Sequence, residues 1–417
     1  MSAGVGVGQL RSIVETCEPR PDVLSGGLAD SHFAAQLDQV VRNPDAYPVY
    51  GDPSEFFALT FPTAGLKRLL ARTFGRLSRA KVQGAEHGVI RAETSFGGGK
   101  THSLMAVYHL AKGARPANLA DLVDPTILPD RCQVAAVVAD TLDPENGLVT
   151  NGIRSYTMWG EIAAQLGPDA YAALRASDEG RTAPGKATWA EIVGDTPTII
   201  IIDEIAQHLR QLSSSGNPDV RRMAGAIPAF LKNLFELAVG TPSVVVLLTL
   251  ATAADAYGAE TNELSTLLDE LEGGFATALA DTQSVLARSG QVIKPAEDKE
   301  IGEILKRRLF ARIDAGAAAE AGDAYRAYYE GLLAKGEQLA GGADAPATYG
   351  EAVAAAYPFH PELIRVLDKR IGSIALFQRA RGGLEAARRG YRQRLGQGGR
   401  HRDPERGRHR LRPPRDP

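Results

Sequence analysis

The sequence predicts an α/β fold with a doubly wound parallel sheet. Four short runs of residues are typical of strands, and they lie at 88–93, 133–139, 199–204 and 243–249. The last three are almost continuously apolar, which is typical of strands that helices cover on both faces. Helical patterns separate the runs, and this alternation favours helices on both sides of one parallel sheet.

Two segments precede the first strand. Residues 1–30 mix Gly, Pro and Asp without periodicity, so we expect a flexible lead-in there. From 31 to 84 the pattern is helical, because apolar residues recur at steps of three and four with Arg and Lys between them. The clearest apolar face consists of Leu66, Leu69, Leu70, Phe74 and Leu77. We therefore expect a helical collar ahead of the sheet.

A glycine-rich loop follows the first strand and reads Thr94-Ser-Phe-Gly-Gly-Gly-Lys-Thr101. Consecutive glycines allow backbone N–H groups to surround phosphate oxygens at a helix N-terminus, and a Lys-Thr pair adds a positive charge and a hydroxyl. A flexible turn is the alternative, because the usual pattern has Gly where this chain has Thr94. The strand before the loop and the amphipathic helix after it favour phosphate binding.

Each residue of this loop has an expected role. The predicted cofactor-binding segment consists of Phe96, Gly97, Gly98, Gly99, Lys100, Thr101 and His102. Lys100 is expected to bridge the β- and γ-phosphates, and the Thr101 hydroxyl to ligate Mg²⁺. For His102 we can give no chemical role, and a packed or capping histidine is the simpler interpretation.

The second motif is an acidic strand, Thr198-Ile-Ile-Ile-Ile-Asp-Glu204. Read alone, it is a buried strand whose Asp203 caps the next helix. Paired with the glycine loop, it assigns Asp203 to the Mg²⁺ shell through water and Glu204 to polarising the water that attacks the γ-phosphate. The run at 133–139 lies between the two motifs, as in the P-loop division that also uses a catalytic glutamate. Residues 85–290 are therefore predicted to form a P-loop NTPase domain that takes ATP and Mg²⁺.

Two threonines follow in the last apolar run. Thr249 and Thr252 lie where a hydroxyl could sense the γ-phosphate or hold the lytic water. Threonine is also common in strands for steric reasons, so both interpretations stay open.

Residues 291–382 are predicted to form a helical lid. One helical face carries Ile301, Ile304, Leu305, Leu309 and Ile313, and Tyr357-Pro-Phe-His-Pro361 interrupts a later helical run. Arg379 and Arg381 follow the lid helices and could reach the γ-phosphate when the lid closes. We expect at least one of them to stabilise charge there.

The C-terminal segment differs in composition from the rest. Residues 381–417 contain twelve arginines, no lysine and four acidic residues, a local charge of +8, and since the chain carries −3, residues 1–380 carry −11. We expect residues 383–417 to form an arginine-rich tail that cannot bury a core. It is either a nucleic-acid arm or the product of a reading-frame change in GC-rich coding sequence, and the absence of lysine favours the frame change.

Composition indicates a cytoplasmic protein. We find no secretory signal in the first twenty residues, and the uncharged run at 240–254 is shorter than the roughly 20 apolar residues that span a bilayer. Cys17 and Cys132 cannot build a disulfide framework or a zinc site, which fits a reducing compartment. We expect no membrane association.

Several segments together resemble a known family. They are Phe96-Gly-Gly-Gly-Lys-Thr-His102, Met158-Trp-Gly-Glu-Ile162, Ile199–Glu204, Tyr357-Pro-Phe-His-Pro-Glu-Leu363 and Phe377–Gly382. In this order they are similar to the large bacterial AAA+-like ATPases of unknown function from phage-defence islands, including the ATPase of bacteriophage-exclusion systems. The similarity covers roughly 20 to 382. It implies ATP and Mg²⁺ at Lys100, Thr101, Asp203 and Glu204.

The resemblance also implies partners. Such ATPases are often encoded beside adenine-specific DNA methyltransferases, so we expect other defence-system subunits as partners. A homo-oligomer is a further expectation. Members of that family continue beyond 382 with a leucine-rich helix and a long C-terminal region, whereas this chain continues with the arginine-rich tail. Docking to partners depends on that region.

Three functions follow from these observations. The leading hypothesis is an ATPase that acts as the energy-coupling or switch subunit of a DNA-directed defence complex. The alternatives are a nucleotide-gated scaffold with negligible hydrolysis and an inert, truncated fragment. DNA could be contacted directly or through partners, and the acidic body does not favour direct contact.

Overall fold

The computed structural model describes residues 7–24, 35–80, 85, 87–94, 99–251, 292–293, 300–338 and 344–366. The chain divides into two compact units, which we call the sheet unit and the terminal unit. The sheet unit contains residues 30–304 and 367–381. The terminal unit contains residues 1–29, 305–366 and 382–417.

The described residues form the following elements. The strands are β1 Cys17–Pro19, β2 Val89–Thr94, β3 Gln133–Val138, β4 Leu148–Thr150, β5 Ile153–Ser155, β6 Thr198–Asp203, β7 Val244–Ala251, β8 Val292–Ile293 and β9 Phe310–Ile313. The first helices are α1 Ile13–Thr16, α2 Pro21–Leu24, α3 Leu37–Arg42, α4 Pro48–Gly51, α5 Pro53–Leu59, α6 Ala64–Ser78, α7 Lys100–Ala111 and α8 Leu119–Leu122. The later helices are α9 Met158–Leu166, α10 Pro168–Glu179, α11 Lys186–Val193, α12 Ile205–Ser214, α13 Pro218–Gly240, α14 Ile301–Leu309, α15 Ala315–Ala334, α16 Pro346–Ala356 and α17 Pro361–Arg365.

A parallel sheet organises the sheet unit. Its strand order is β3-β6-β7-β2-β8, and every neighbouring pair is parallel. The first four strands are the four that the sequence predicts, with ends shifted by at most two residues. The short strand β8 is an addition that the sequence analysis did not foresee. The predicted mixed α/β architecture with a parallel sheet is confirmed.

Both faces of this sheet are buried under helices. Side chains of β6 alternate between two cores: Ile200 and Ile202 lie in one with the helices α9 to α13, and Ile199 and Ile201 lie in the other with the helices α3 to α8. All four isoleucines are 0% exposed. Helices on both faces explain why these strands are continuously apolar in sequence.

The collar consists of short helices and one longer one. The helix α6 begins where the Thr63 hydroxyl accepts a hydrogen bond from the amide of Leu66, and it ends at Arg79, which has a left-handed φ of 57°. Its buried face is the predicted leucine and phenylalanine face. This face packs into the same core as α7, so the collar belongs to the sheet unit.

Arg76 connects α6 to the C-terminal end of α13 through hydrogen bonds. Its side chain is 7% exposed. Its Nε donates to the carbonyl of Val244 at 3.1 Å, and Nη2 donates to the carbonyls of Ala238, Val239 and Thr241. The last carbonyls of a helix have no partner within it, and leaving them buried without a donor is costly. The guanidinium of Arg76 supplies these donors and so removes that cost.

The expectation of a flexible lead-in over 1–30 is wrong for residues 7–24, which form helices and a strand in the terminal unit. Residues 7–24 contain α1, β1 and α2, and β1 pairs antiparallel with β9, with Cys17 opposite Ile313. Cys17 is 2% exposed there. Because the partner strand lies far away in the sequence, local periodicity in the first thirty residues could not reveal the pairing.

The helices α15 and α16 lie next to each other in the terminal unit. They approach closely at two glycines: a Cβ on Gly322 would lie 2.6 Å from the carbonyl oxygen of Gly350. The described residues of the expected lid over 291–382 form the helices α14 to α17, but they also form the strands β8 and β9. Across the described parts of the chain, no helix has both the length and the apolar composition that crossing a membrane requires.

We expect Arg76→Met to lower the free energy of unfolding of the sheet unit by about 3 kcal/mol, because it leaves several buried carbonyls without a donor. The chain's two tryptophans, Trp159 and Trp189, lie in a core of this unit, so tryptophan fluorescence in a urea titration reports on it. Arg68→Met, at an exposed position of the same helix, is the matched control. Equal losses in both variants would contradict the role of Arg76.

Candidate functional site

The helix α7 begins at the carboxyl edge of the sheet, directly after the glycine loop. Its N-cap is Gly99, with a φ of 79° that favours glycine, and no side chain caps this end. Lys100 and Thr101 are the first two helical residues, and both are half-buried. A helix N-terminus directs backbone N–H groups and a partial positive charge at whatever lies before it, which suits an anion.

Asp203 brings three elements together at this edge. Its side chain is 1% exposed. Oδ2 accepts a hydrogen bond from the Thr101 hydroxyl at 2.9 Å, and Oδ1 accepts one from the Thr249 hydroxyl. The end of β6, the start of α7 and the end of β7 are therefore tied through one carboxylate. Thr101 and Asp203, one from each of the two sequence motifs, are thus in direct contact, and Thr249 is a third partner.

Glu204 has a left-handed backbone at the junction of β6 and α12. Its φ is 56° and its ψ is 34°. Its amide donates to Asp203 Oδ1 at 3.1 Å and to Thr249 Oγ1 at 3.3 Å. A non-glycine residue in this conformation costs about 1 kcal/mol, and such residues cluster at functional sites. The two hydrogen bonds of its amide hold the strained turn in place.

His102 does not belong with the phosphate-binding residues. Its ring lies 4.5 Å from the ring of Phe56, centroid to centroid, and its Nε2 is 2.9 Å from the Thr60 hydroxyl. Two residues along a helix turn by about 200°, so His102 lies on nearly the opposite face of α7 from Lys100. Its expected place in the cofactor-binding segment is corrected to a packing contact with α5 and the residue that follows it.

Asp140 is a polar residue at this edge that the sequence analysis missed. It follows β3, and its Oδ1 is buried without a hydrogen-bond partner among the described residues. Burial raises its pKa first of all, and the negative charges of Asp203 and Asp38 raise it further. The available signal was its position just after an apolar run, at the edge where parallel strands end.

The remaining predicted site residues lie outside the described residues. They are Phe96, Gly97, Gly98, Thr252, Arg379 and Arg381. Their expected roles stay predictions.

Metal binding at this edge would need few protein ligands. Among the residues that the structure describes, no cluster of three or more His, Cys, Asp or Glu side chains could hold a metal ion. Thr101 and Asp203 offer a hydroxyl and a carboxylate oxygen 2.9 Å apart. Mg²⁺ prefers oxygen ligands and is often held by one or two protein groups together with water and substrate phosphates, so this pair suits it.

The chain belongs to the DUF499 family. Residues 13–266 match the DUF499 N-terminal domain, and residues 296–398 match the DUF499 second domain. Searches of curated proteins and of solved structures found no match. The glycine loop, the acidic strand and Thr249 all lie within the first matched domain.

The bounds of the family match differ from two of the expected boundaries. It begins at 13, inside the expected lead-in, and it continues to 398, past the expected start of the tail at 383. The first of these agrees with the strand pairing of Cys17–Pro19 in the terminal unit.

We expect Glu204→Gly to be more stable than Glu204→Ala by about 0.5–1 kcal/mol in free energy of unfolding. Both variants lose the same carboxylate, but only glycine adopts a positive φ without steric cost, and its greater freedom when unfolded offsets part of that gain. Urea titration followed by tryptophan fluorescence measures the difference. Equal stability of the two variants would contradict the left-handed backbone at this residue.

Proposed function

We propose that this protein is a P-loop ATPase, which binds ATP with Mg²⁺ and hydrolyses it. The observation that carries the proposal is the hydrogen bond of 2.9 Å between the Thr101 hydroxyl and the buried Asp203 carboxylate. Thr101 directly follows the lysine of the glycine loop, and Asp203 ends the acidic strand about a hundred residues later in the sequence. A nucleotide site built on a glycine loop and an acidic strand requires this proximity.

The order of strands supports the same proposal. β7 lies between β2, which leads into the glycine loop, and β6, which ends in Asp203. This agrees with the P-loop division that also uses a catalytic glutamate. The carboxyl ends of all three strands share one edge, and ligands of open α/β sheets bind at that edge.

Each residue then has a task in hydrolysis. Lys100 and the amides at the start of α7 hold the phosphates, and Glu204 orients the attacking water for in-line displacement. Thr101 and Asp203 would hold Mg²⁺, which neutralises charge on the phosphate oxygens when it is bound. Thr249 fixes the orientation of Asp203 and of the Glu204 amide through its hydroxyl.

The wider role is proposed from the resemblance to defence-island ATPases. We propose that hydrolysis serves as the energy-coupling or switch step of a cytoplasmic, DNA-directed complex whose other subunits include a DNA methyltransferase. Residues 1–380 carry −11, which repels the phosphate backbone of DNA. We therefore assign DNA contact to partner subunits or to the arginine-rich C-terminal residues.

We expect Glu204→Gln to keep ATP binding and to lose turnover by about 100-fold or more, because glutamine keeps the size of the side chain but cannot act as a base. The measurement pairs calorimetric ATP binding with phosphate release. Glu191→Gln, at an exposed position on α11, is the matched control and should behave as the parent.

Each other outcome of that experiment identifies an alternative. Unchanged turnover in Glu204→Gln would show that this carboxylate is not the catalytic base. Binding without turnover in the parent would favour the nucleotide-gated scaffold. A parent that fails to bind ATP would favour the inert fragment and would refute the proposal.

Double-stranded DNA alone should leave turnover unchanged in a full-length variant whose seven arginines after residue 399 are replaced by glutamine. The folded region that remains is acidic, so it offers little attraction to DNA. Phosphate release with and without DNA at low salt measures this. Stimulation of the variant by DNA would contradict contact through partners or the C-terminal residues, and would place a DNA surface on the folded units.

A further inference from the structure

A cleft of about 440 Å³ lies in the sheet unit, beside α12. One wall follows β3 and the other is formed by α12 and the start of α13. Its polar lining consists mainly of Asp140, Asp143, Glu145, Asn146, His208 and Gln211. The Gln211 side chain joins the walls by donating to the backbone carbonyl of Asp140 at 3.4 Å.

His208 is the most unusual residue of this lining. It is 1% exposed, and within the described part of the chain neither ring nitrogen has a partner in hydrogen-bonding geometry. Burial lowers its pKa to about 4, although the nearby Gln211 side chain opposes that shift. The imidazole is therefore neutral near pH 7 and has one acceptor nitrogen. A buried polar group without a partner is costly, which points to a group that completes it.

The rest of the lining is rich in acceptors and negative charge. Asp140 Oδ1 is a second buried atom without a partner among the described residues. Asp143 is held in place, since it accepts hydrogen bonds from the amide and the side chain of Asn146, each at 2.9 Å. With Glu145, three carboxyl groups line the cleft, and none of its lining residues is Lys or Arg.

We propose that this cleft binds a guanidinium group. Guanidinium is a planar cation with five N–H donors and no acceptor, so it can satisfy the Asp140 carboxylate and the His208 acceptor nitrogen together while the rim carboxylates balance its charge. The three carboxyl groups of the lining disfavour an anion such as a nucleotide, and the nearby guanidinium groups of Arg154 and Arg181 donate to the backbone carbonyls of Asn146 and Pro144. The proposal does not depend on the ATPase proposal, because neither Asp140 nor His208 has a task in hydrolysis there.

Two sources could supply the guanidinium. The first is a small molecule, for which a cleft of this volume is large enough. The second is an arginine side chain of a protein segment, for which the sequence 400–417 supplies an arginine-rich test peptide. Agmatine represents the small molecule, and a synthetic peptide with the sequence 400–417 represents the protein segment. Urea is the control, because it has the planar shape of guanidinium without its charge.

The test is calorimetric titration of the full chain with these probes. We expect agmatine or the peptide to bind, urea not to bind, and Asp140→Asn to weaken binding about ten-fold or more, because it removes a charge-assisted hydrogen bond. Asp121→Asn, an exposed acidic position elsewhere in the sheet unit, should bind as the parent does. Binding of agmatine assigns the site to a free cation, and binding of the peptide alone assigns it to a protein arginine.

A second variant keeps the test decisive if Asp140→Asn folds poorly. His208→Phe retains a ring but removes both unsatisfied nitrogens, so it should raise the melting temperature and also weaken binding of the probe. A stabilised His208→Phe that binds as the parent does would show that the histidine is merely buried, and would overturn the proposal. Absence of binding by both guanidinium probes, or equal binding by the parent and Asp140→Asn, would also overturn it.

Discussion

The buried carboxylate of Asp203 is the constraint on which the rest of the site depends. A carboxylate at 1% exposure is costly unless donors surround it, and here hydroxyls from Thr101 and Thr249 and the amide of Glu204 supply them. These donors come from three elements that are distant in sequence. Satisfying one buried charge therefore fixes the start of α7 against the ends of β6 and β7, and it also holds the strained backbone of Glu204.

The parallel sheet could be predicted because its strands carry their own signal. Ile199 to Ile202 are buried against helices on both faces, so the strand is continuously apolar, and a parallel sheet brings its carboxyl ends to one edge. From this rule and the two sequence motifs, Thr101 and Asp203 were expected to meet, whereas the place of Thr249 was left open. The spacing of a motif thus predicts which side chains lie together when they follow the parallel strands of one sheet.

Other features had no local signal. The pairing of β1 with β9 joins two strands of three and four residues that lie far apart in the sequence, and neither is long enough to show periodicity. His102 adjoins the lysine and threonine in sequence, but the helical turn carries its ring to the collar. Asp140 and His208 are ordinary single residues in sequence, and only burial without partners makes them notable.

The most direct test of the central claim is a crystal structure of the Glu204→Gln variant with ATP and Mg²⁺. The account predicts the triphosphate at the N-terminus of α7, with the Lys100 ammonium on its outer phosphates, and Mg²⁺ on the Thr101 hydroxyl beside the Asp203 carboxylate. Nucleotide bound at any other surface, or a triphosphate at α7 with the metal remote from both Thr101 and Asp203, would contradict it.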